Sequence, residues 1–287
     1  MLSRIEARAA ALLLSALLLP CCAGVRGDGA ASFVPTGPLV FESAYQEYVV
    51  RVYRDDEGSF EITRKGWRVY AQVGHKFCVV GSDPGDQTGD SVPIGAAITG
   101  DGTPWLAVSE WSGGAHCCFT LHLFQIGERF RHVQSIDLVH SDLAHFENLD
   151  ADLALEFVTN DWTFAYWHTD FAQSPAPRVV MKYRGDRYRI DVDLMRRPPL
   201  APEEFGRRVR ELAALPEWGD EHPPVRLWAE MLDLVYSGNL AQARELIERA
   251  WPQGTPGKEQ FVADFEGQLR KSPFWADVQT LNRLGPS

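Results

Sequence analysis

The amino-acid sequence predicts an α+β fold, an all-β domain followed by a small α-helical one, and three observations point to it. From about Phe33 to Leu194 the chain is rich in aromatic and β-branched residues broken by turn signals, a composition that suits strands. The segment "RRPPLAP", Arg196–Pro202, is Pro-rich and reads as a linker. Beyond it, helix start and stop signals recur. The expected units are therefore a β-rich domain at 33–195, a linker at 196–202 and a helical domain at 203–287.

Taken in order, "EYVVRVYRD" (Glu47–Asp55) and "FEITRKGWRVYAQVG" (Phe60–Gly74) read as strands. In the second, Trp67, Val69, Ala71 and Val73 alternate with polar neighbours, which predicts that this set forms the buried face. "PWLAVSEW", "HCCFTLHLFQIG", "RFRHVQSIDL" and "WTFAYW" continue the pattern. "VVMKYRGDRYRIDVDL" predicts a hairpin about Gly185-Asp186, which accounts for the letters "RGD" at Arg184–Asp186 without an adhesive role. In the tail, Pro202 followed by Glu203 and Glu204 suits a first helical turn. "VRLWAEMLDLVYSG" ends on Gly238, a C-terminal cap. Asn239 is placed to cap "LAQARELIERAW", and Ser272-Pro273 to open "FWADVQTLNRLG". Leu240, Ala243, Leu246, Ile247 and Ala250 form one apolar stripe. The stretch "YSGNLAQARELIERAW" resembles half of a tetratricopeptide-type hairpin, but a single unit cannot bury its own faces; a helix pair packed on the β domain is expected instead.

The bulk composition bounds the function. The 287-residue chain is 45% hydrophobic and 23% charged, with 39 Asp+Glu against 28 Lys+Arg, as an ordinary globular protein would be. No basic block or stripe appears, so nucleic acid is not an expected partner. "MLSRIEAR" followed by "AAALLLSALLLP" has the charged and apolar regions of an export signal, and the apolar run is too short for a membrane span. The expected signal is 1–23, followed by a flexible lead at 24–32; its removal takes away a net +1 and leaves −12 from −11. "LLLPCC" also places a leucine three residues before Cys21 or Cys22, the spacing of a lipid-anchored export signal. Either way the expected location is the periplasm or cell surface.

The strongest chemical signal is "FENLDADLALEF" (Phe146–Phe157). Asn148, Asp150, Asp152 and Glu156 fall at positions 1, 3, 5 and 9 of a loop, and Ca²⁺ wants ~6–8 oxygens of the kind such a loop converges. The carbonyl of Ala154 sits at position 7. Leu153 occupies the sixth position, where such loops carry Gly, so the rival reading is an acidic turn held by Asx-type hydrogen bonds. A weaker copy, "AAITGDGTPWLAV" (Ala96–Val108), offers Thr99, Asp101 and Gly102 but has Ala97 at its first position.

"TGDGTPWLAV" and "NLDADLALEF" resemble the loop-then-strand units of the FG-GAP (VCBS-type) repeats of integrin-α-like β-propellers. The wider pattern of TGDG-x-P, SGGAHCC, F-x-x-LD-x-D and SPAP is similar to a group of uncharacterised bacterial exported proteins, over about Ile94 to Tyr183. The resemblance implies structural Ca²⁺ on Asn148, Asp150, Asp152 and Glu156. Phe33–Leu194 holds about three such units, whereas closed propellers use ~4–8 blades; a sandwich or a set of propeller-like hairpins is expected, not a full propeller.

The cysteines carry a second question. Thiols of exported proteins usually pair, and after cleavage Cys78, Cys117 and Cys118 remain. On a strand, Cys117 and Cys118 point to opposite faces, so the expectation is a bridge from one of them to Cys78. Two rivals stand beside it: a vicinal Cys117–Cys118 bridge, for which Gly113 and Gly114 make room, and a zinc site of His75, Cys78, His116 and Cys118. As nucleophiles, Cys117 and Cys118 would need His116 or His122 as base. The aromatic run "DWTFAYWHTDF" (Asp161–Phe171) is expected to be core, with His168 and Asp170 at its rim. The reading that follows is an exported, non-catalytic binding or structural module for an unidentified partner, with a disulfide and a structural Ca²⁺ loop. Its alternative is a hydrolase-like enzyme combining Asp150, Asp152 and His168, which requires a pocket that brings the three together.

Overall fold

Antiparallel hairpins account for nearly all of the β structure. The computed structural model describes residues 33–86, 92–114, 117–219 and 222–283; the segments 1–23 and 24–32, expected to be an export signal and a lead, and His116 lie outside them. Three consecutive four-stranded meanders follow one another along the chain. The first comprises β1 (Leu39–Tyr45), β2 (Tyr48–Arg54), β3 (Gly58–Arg64) and β4 (Trp67–Gly74). The second comprises β5 (Lys76–Val79), β6 (Trp105–Trp111), β7 (Phe119–Ile126) and β8 (Phe130–Val139). The third, in the order β12-β11-β10-β9, uses β9 (His145–Glu147), β10 (Glu156–Asn160), β11 (Arg178–Arg184) and β12 (Arg187–Ile190). Among the described residues they form no closed barrel or propeller, and the α+β class holds.

Packing follows the alternation of each strand. Leu106, Val108 and Phe124 of the second sheet meet Val50, Val52, Phe60 and Ile62 of the first. Their neighbours Trp105, Ala107, Leu121 and Leu123 point the other way, into a larger core with Phe157, Val179, Met181 and Tyr188 of the third sheet. The second sheet is thus covered on both faces, which explains the unbroken burial of "WLAV" in β6. A strand covered on both sides must be apolar at consecutive positions.

The first sheet corrects one expectation. Trp67 and Val73 of β4 are 79% and 51% exposed. Val69 of the predicted set does pack against the core, but so does Tyr70 of the opposite phase, 5.5 Å from Phe60 and 4.8 Å from Phe124 between centroids. Period-2 alternation identifies two faces but does not say which is inward, and a register shift between Ile62 and Thr63 separates β4 from the phase of β3.

The helices are α1 (Val192–Met195), α2 (Pro202–Ala213), α3 (Val225–Val235), α4 (Leu240–Ala250), α5 (Lys258–Leu269) and α6 (Trp275–Arg283). α2 starts on Pro202 with Glu203 and Glu204 in its first turn, as the sequence predicts. Past α3, Gly238 adopts φ +81 and Asn239 N–H reaches back to the Leu234 carbonyl at 2.8 Å, a left-handed cap. The Asn239 side chain does not cap α4; it donates to the carbonyls of Arg197 and Ser237, tying the linker to the α3–α4 turn. Leu227, Trp228, Leu246, Phe265 and Leu281 of the helices share one apolar cluster with the third sheet, so the helices are a layer on the sheet. No helix among the described residues is long and apolar enough to cross a membrane.

Candidate functional site

The acidic loop is the turn of the β9–β10 hairpin, in which Glu147 pairs with Glu156 and Phe146 with Phe157. Its tip is built from side chains folded onto their own backbone. Asn148 Oδ1 accepts from Ala151 N at 2.8 Å, and its Nδ2 donates to the Asp152 carbonyl at 2.6 Å. Asp150 Oδ1 accepts from Asp152 N at 3.2 Å and Asp152 Oδ1 from Ala154 N at 2.7 Å. These are Asx turns, the local bonding short polar side chains offer a tight loop. Each aspartate spends one oxygen on the loop and keeps the other for the interior.

Those remaining oxygens converge. Asp150, Asp152 and Glu156 offer carboxylate oxygens within 4.8 Å of one another, the one such set of three or more His, Cys, Asp or Glu ligands among the described residues. Both ends of the Asn148 amide are committed to the turn. At the point of convergence stands a residue the sequence reading did not single out, Lys182 of β11. Its Nζ lies 2.5 Å from Asp150 Oδ2, 2.7 Å from Asp152 Oδ2 and 2.7 Å from Glu156 Oε1. The second oxygen of Glu156 accepts from Leu149 N at 2.8 Å. Lys182 donates hydrogen bonds to Asp150 and Asp152 and stands in ion-pair contact with the buried Glu156.

The electrostatics agree with the geometry. Burial opposes the charge on Lys182, but its carboxylate partners outweigh it and hold the ammonium well above its usual range. The bond from Lys182, with the Ala154 N–H, holds the Asp152 carboxyl below its usual value. A calcium ion needs ~6–8 oxygens; the three carboxylates offer one each within 4.8 Å of one another, and the Lys182 ammonium lies beside all three. A lysine at a buried position of a strand was the available signal, since such a residue is almost never fully buried without a partner.

The upstream copy is a hydrogen-bonded turn. Asp101 accepts from the Thr99 hydroxyl at 2.8 Å and from Thr103 N at 3.0 Å. The two loops touch directly: Thr99 bridges to Ala154, and Leu155 N donates to the Ile98 carbonyl at 2.8 Å.

His168 does not join the carboxylates. Its ring packs 4.3 Å from Trp167 and 4.0 Å from His222, so the proposed combination of Asp150, Asp152 and His168 is not assembled. Asp170 accepts from Gln173 N and opens a short 3₁₀ turn at Phe171–Gln173. The aromatic run is core only in part: Phe164 is buried, Trp167 is half-buried against Trp228 and Phe261, and Tyr166 is exposed.

The cysteines also differ from expectation. Cys117 and Cys118 are bonded to each other, and Cys78 is a free thiol. Cys78 lies opposite Ser109 within the β5–β6 pair, whereas the Cys118 carbonyl accepts from Ser112 N beyond the end of β6. That offset along the strand keeps Cys78 from both. Its sulfur contacts the Gly85 carbonyl at 3.4 Å and Arg54 Nη2 at 3.2 Å. Burial, against the pull of Arg54, pushes the thiol up to about 11, which leaves it a poor nucleophile. His75 of the suggested zinc set instead holds Glu110, Nδ1 to Oε1, at 3.1 Å.

Glu110 is the hub of a second polar cluster. His122, weighed above as a base for the cysteines, lies 3.1 Å from Glu110 Oε2 through Nε2 and 2.8 Å from Ser135 Oγ through Nδ1. His132 Nε2 completes the row, 3.0 Å from the same hydroxyl. These residues stand on β6, β7 and β8 at the margin of the core between the first two sheets. Burial raises the Glu110 carboxyl, but His122 and His75 outweigh it and the net direction is downward. No sequence motif marks this row, since its members come from three strands.

Comparison of the chain with family models, with curated proteins and with solved structures returns no match.

Proposed function

We propose that this chain is an exported, non-catalytic binding or structural module in which the acidic loop is a scaffold clasp. The observation that carries the reading is the placement of the Lys182 ammonium within 2.7 Å of three carboxylates. A loop whose oxygens are divided between its own backbone and a tethered ammonium has its charge balanced from within. It fixes the β9–β10 turn to β11, where a Ca²⁺ ion would act in the FG-GAP-type units that the loop resembles. The contact between the Thr99–Thr103 and Asn148–Ala154 loops supports treating both as corners of blade-like hairpins. Export is supported by the N-terminal signal pattern and is compatible with the oxidised Cys117–Cys118 pair.

Thermal unfolding with calcium and with chelator tests this reading. The wild-type protein is expected to melt at the same temperature in both, because Lys182 occupies the cation position. Lys182→Gln is expected to melt lower and to recover part of the loss when calcium is added, the ion replacing the missing ammonium. A wild-type melting temperature that falls on chelation would overturn the clasp and restore the calcium loop.

A further inference from the structure

The helical layer holds an apolar groove that takes no part in the acidic loop. It opens between α4, α5 and α6 over the end of α3, with a volume of about 330 Å³. Its floor includes Val235, Ile247, Phe265 and Val278, side chains that are themselves almost wholly buried. That volume lies at the small end of ligand pockets, ~300–1,000 Å³. Apolar walls facing a gap forgo the dispersion contacts that a close-packed interior supplies.

The rim has the opposite character. Arg244 of α4, Arg270 at the C-terminal cap of α5 and Arg283 of α6 stand around the opening with one acid, Glu266. Glu266 Oε1 lies 3.4 Å from Arg244 and Oε2 lies 2.9 Å from Arg270. Arg283 makes no ion pair among the described residues. Three cations against one anion leave the mouth at +2, on a chain whose net charge is −11. An apolar cleft beneath a local surplus of guanidinium groups is complementary to a molecule with a hydrocarbon body and an anionic head. Guanidinium groups bind carboxylates through paired, charge-assisted hydrogen bonds.

We propose that this groove binds a single-chain fatty acid, its hydrocarbon tail between α4, α5 and α6 and its carboxylate against Arg244 and Arg283. The small volume favours one chain over the two of a phospholipid. The mainly apolar lining, in which the Asn282 amide is already committed to the backbone of Leu240, Val235 and Val278, favours an alkyl tail over a peptide backbone, whose N–H and C=O groups would go unpaired there.

Calorimetric titration of the delipidated protein with laurate, dodecanol and dodecyltrimethylammonium tests the assignment. Laurate is expected to bind saturably at one site, with dodecanol and the cation each weaker by tenfold or more. Arg244→Gln combined with Arg283→Gln is expected to weaken laurate by roughly tenfold, about the strength of one charged hydrogen bond, with the melting temperature unchanged because both side chains are on the surface. Ala243→Leu, which fills the groove from α4, is expected to abolish binding; circular dichroism checks that this variant is folded. The proposal is overturned by absence of saturable laurate binding, by equal affinity for the cationic amphiphile, or by binding that survives both variants. It is likewise overturned if laurate binds only after deletion of residues 284–287, which would make the chain's own end the occupant.

Discussion

Two carboxylate sites in this protein are neutralised in different ways. At the tip of the β9–β10 hairpin, three acids gather around a tethered ammonium. Just past β10, Asp161 is 2% exposed and takes four donors: the Thr163 N–H and hydroxyl on one oxygen, and the Tyr236 and Ser272 hydroxyls on the other. No cation pairs with it among the described residues. The first site sits at a rim where water screens part of the charge. The second lies where the aromatic run meets α3 and the α5–α6 turn, and only directed hydrogen bonds stabilise a charge there. Burial and the nearby carboxylate also drive the Tyr236 phenol far above its usual range, so it remains a donor. A surface loop can balance its charge with one long side chain, whereas a buried carboxylate needs short donors from several elements. The Asp161 site consequently joins the third sheet to the helices.

This contrast is open to direct tests, and Asp161→Ala should have the largest effect. It removes the acceptor and leaves two buried hydroxyls without their partner, which should lower stability by about 3 kcal/mol in urea unfolding; a loss under about 1 kcal/mol would show the junction to be held by apolar packing alone. Lys182→Gln should cost about 2 kcal/mol, since Glu156 is fully buried beside the vacated position while the two aspartates still reach water. Equal losses at the two sites would break the comparison. Tyr236→Phe leaves Asp161 with three donors and should cost about 1 kcal/mol; a neutral result would make Ser272 and Thr163 sufficient.

The smallest expected effect is in the pH dependence of the clasp. Lys182 is raised above its ordinary value of 10.5, so its contribution is complete below that pH and fades as pH rises further. Asp152 is lowered below its ordinary 3.8, so its contribution is present above that pH and fades in more acid solution. The stability difference between wild type and Lys182→Gln should therefore be level from about pH 5 to 9 and shrink at both extremes. A difference that changes steeply near neutrality would show that a histidine governs the loop.

The acidic loop was legible because its chemistry is local. Asp150, Asp152 and Glu156 lie within seven residues, and their spacing alone implies convergence at a tight turn. Their partner was not legible, since Lys182 arrives from a neighbouring strand and is identified only by the pairing of β10 with β11. For the same reason the Glu110–His122–Ser135 row escaped notice, as did Asp161 with Tyr236 and Ser272, groups 75 and 111 residues away in sequence. The cysteines show the limit from the other side. Alternation within one strand suggested that Cys117 and Cys118 face apart, but both lie in the loop before β7 starts at Phe119, where strand geometry does not apply.

The amino-acid sequence by itself determined many of the strands and helices, the Gly185-Asp186 hairpin turn and several helix ends, because propensity, periodicity and capping act over a few residues; it failed at "WTFAYW", which reads as a strand but forms turns between β10 and β11. It also determined that a cluster of oxygens would gather between Asn148 and Glu156. Tertiary structure decided what stands beside that cluster, which residues of β4 reach the core, which cysteines meet, and that the helices share an apolar cluster with the third sheet. Those outcomes depend on register and on which sheet covers which, set by burial summed over the whole chain.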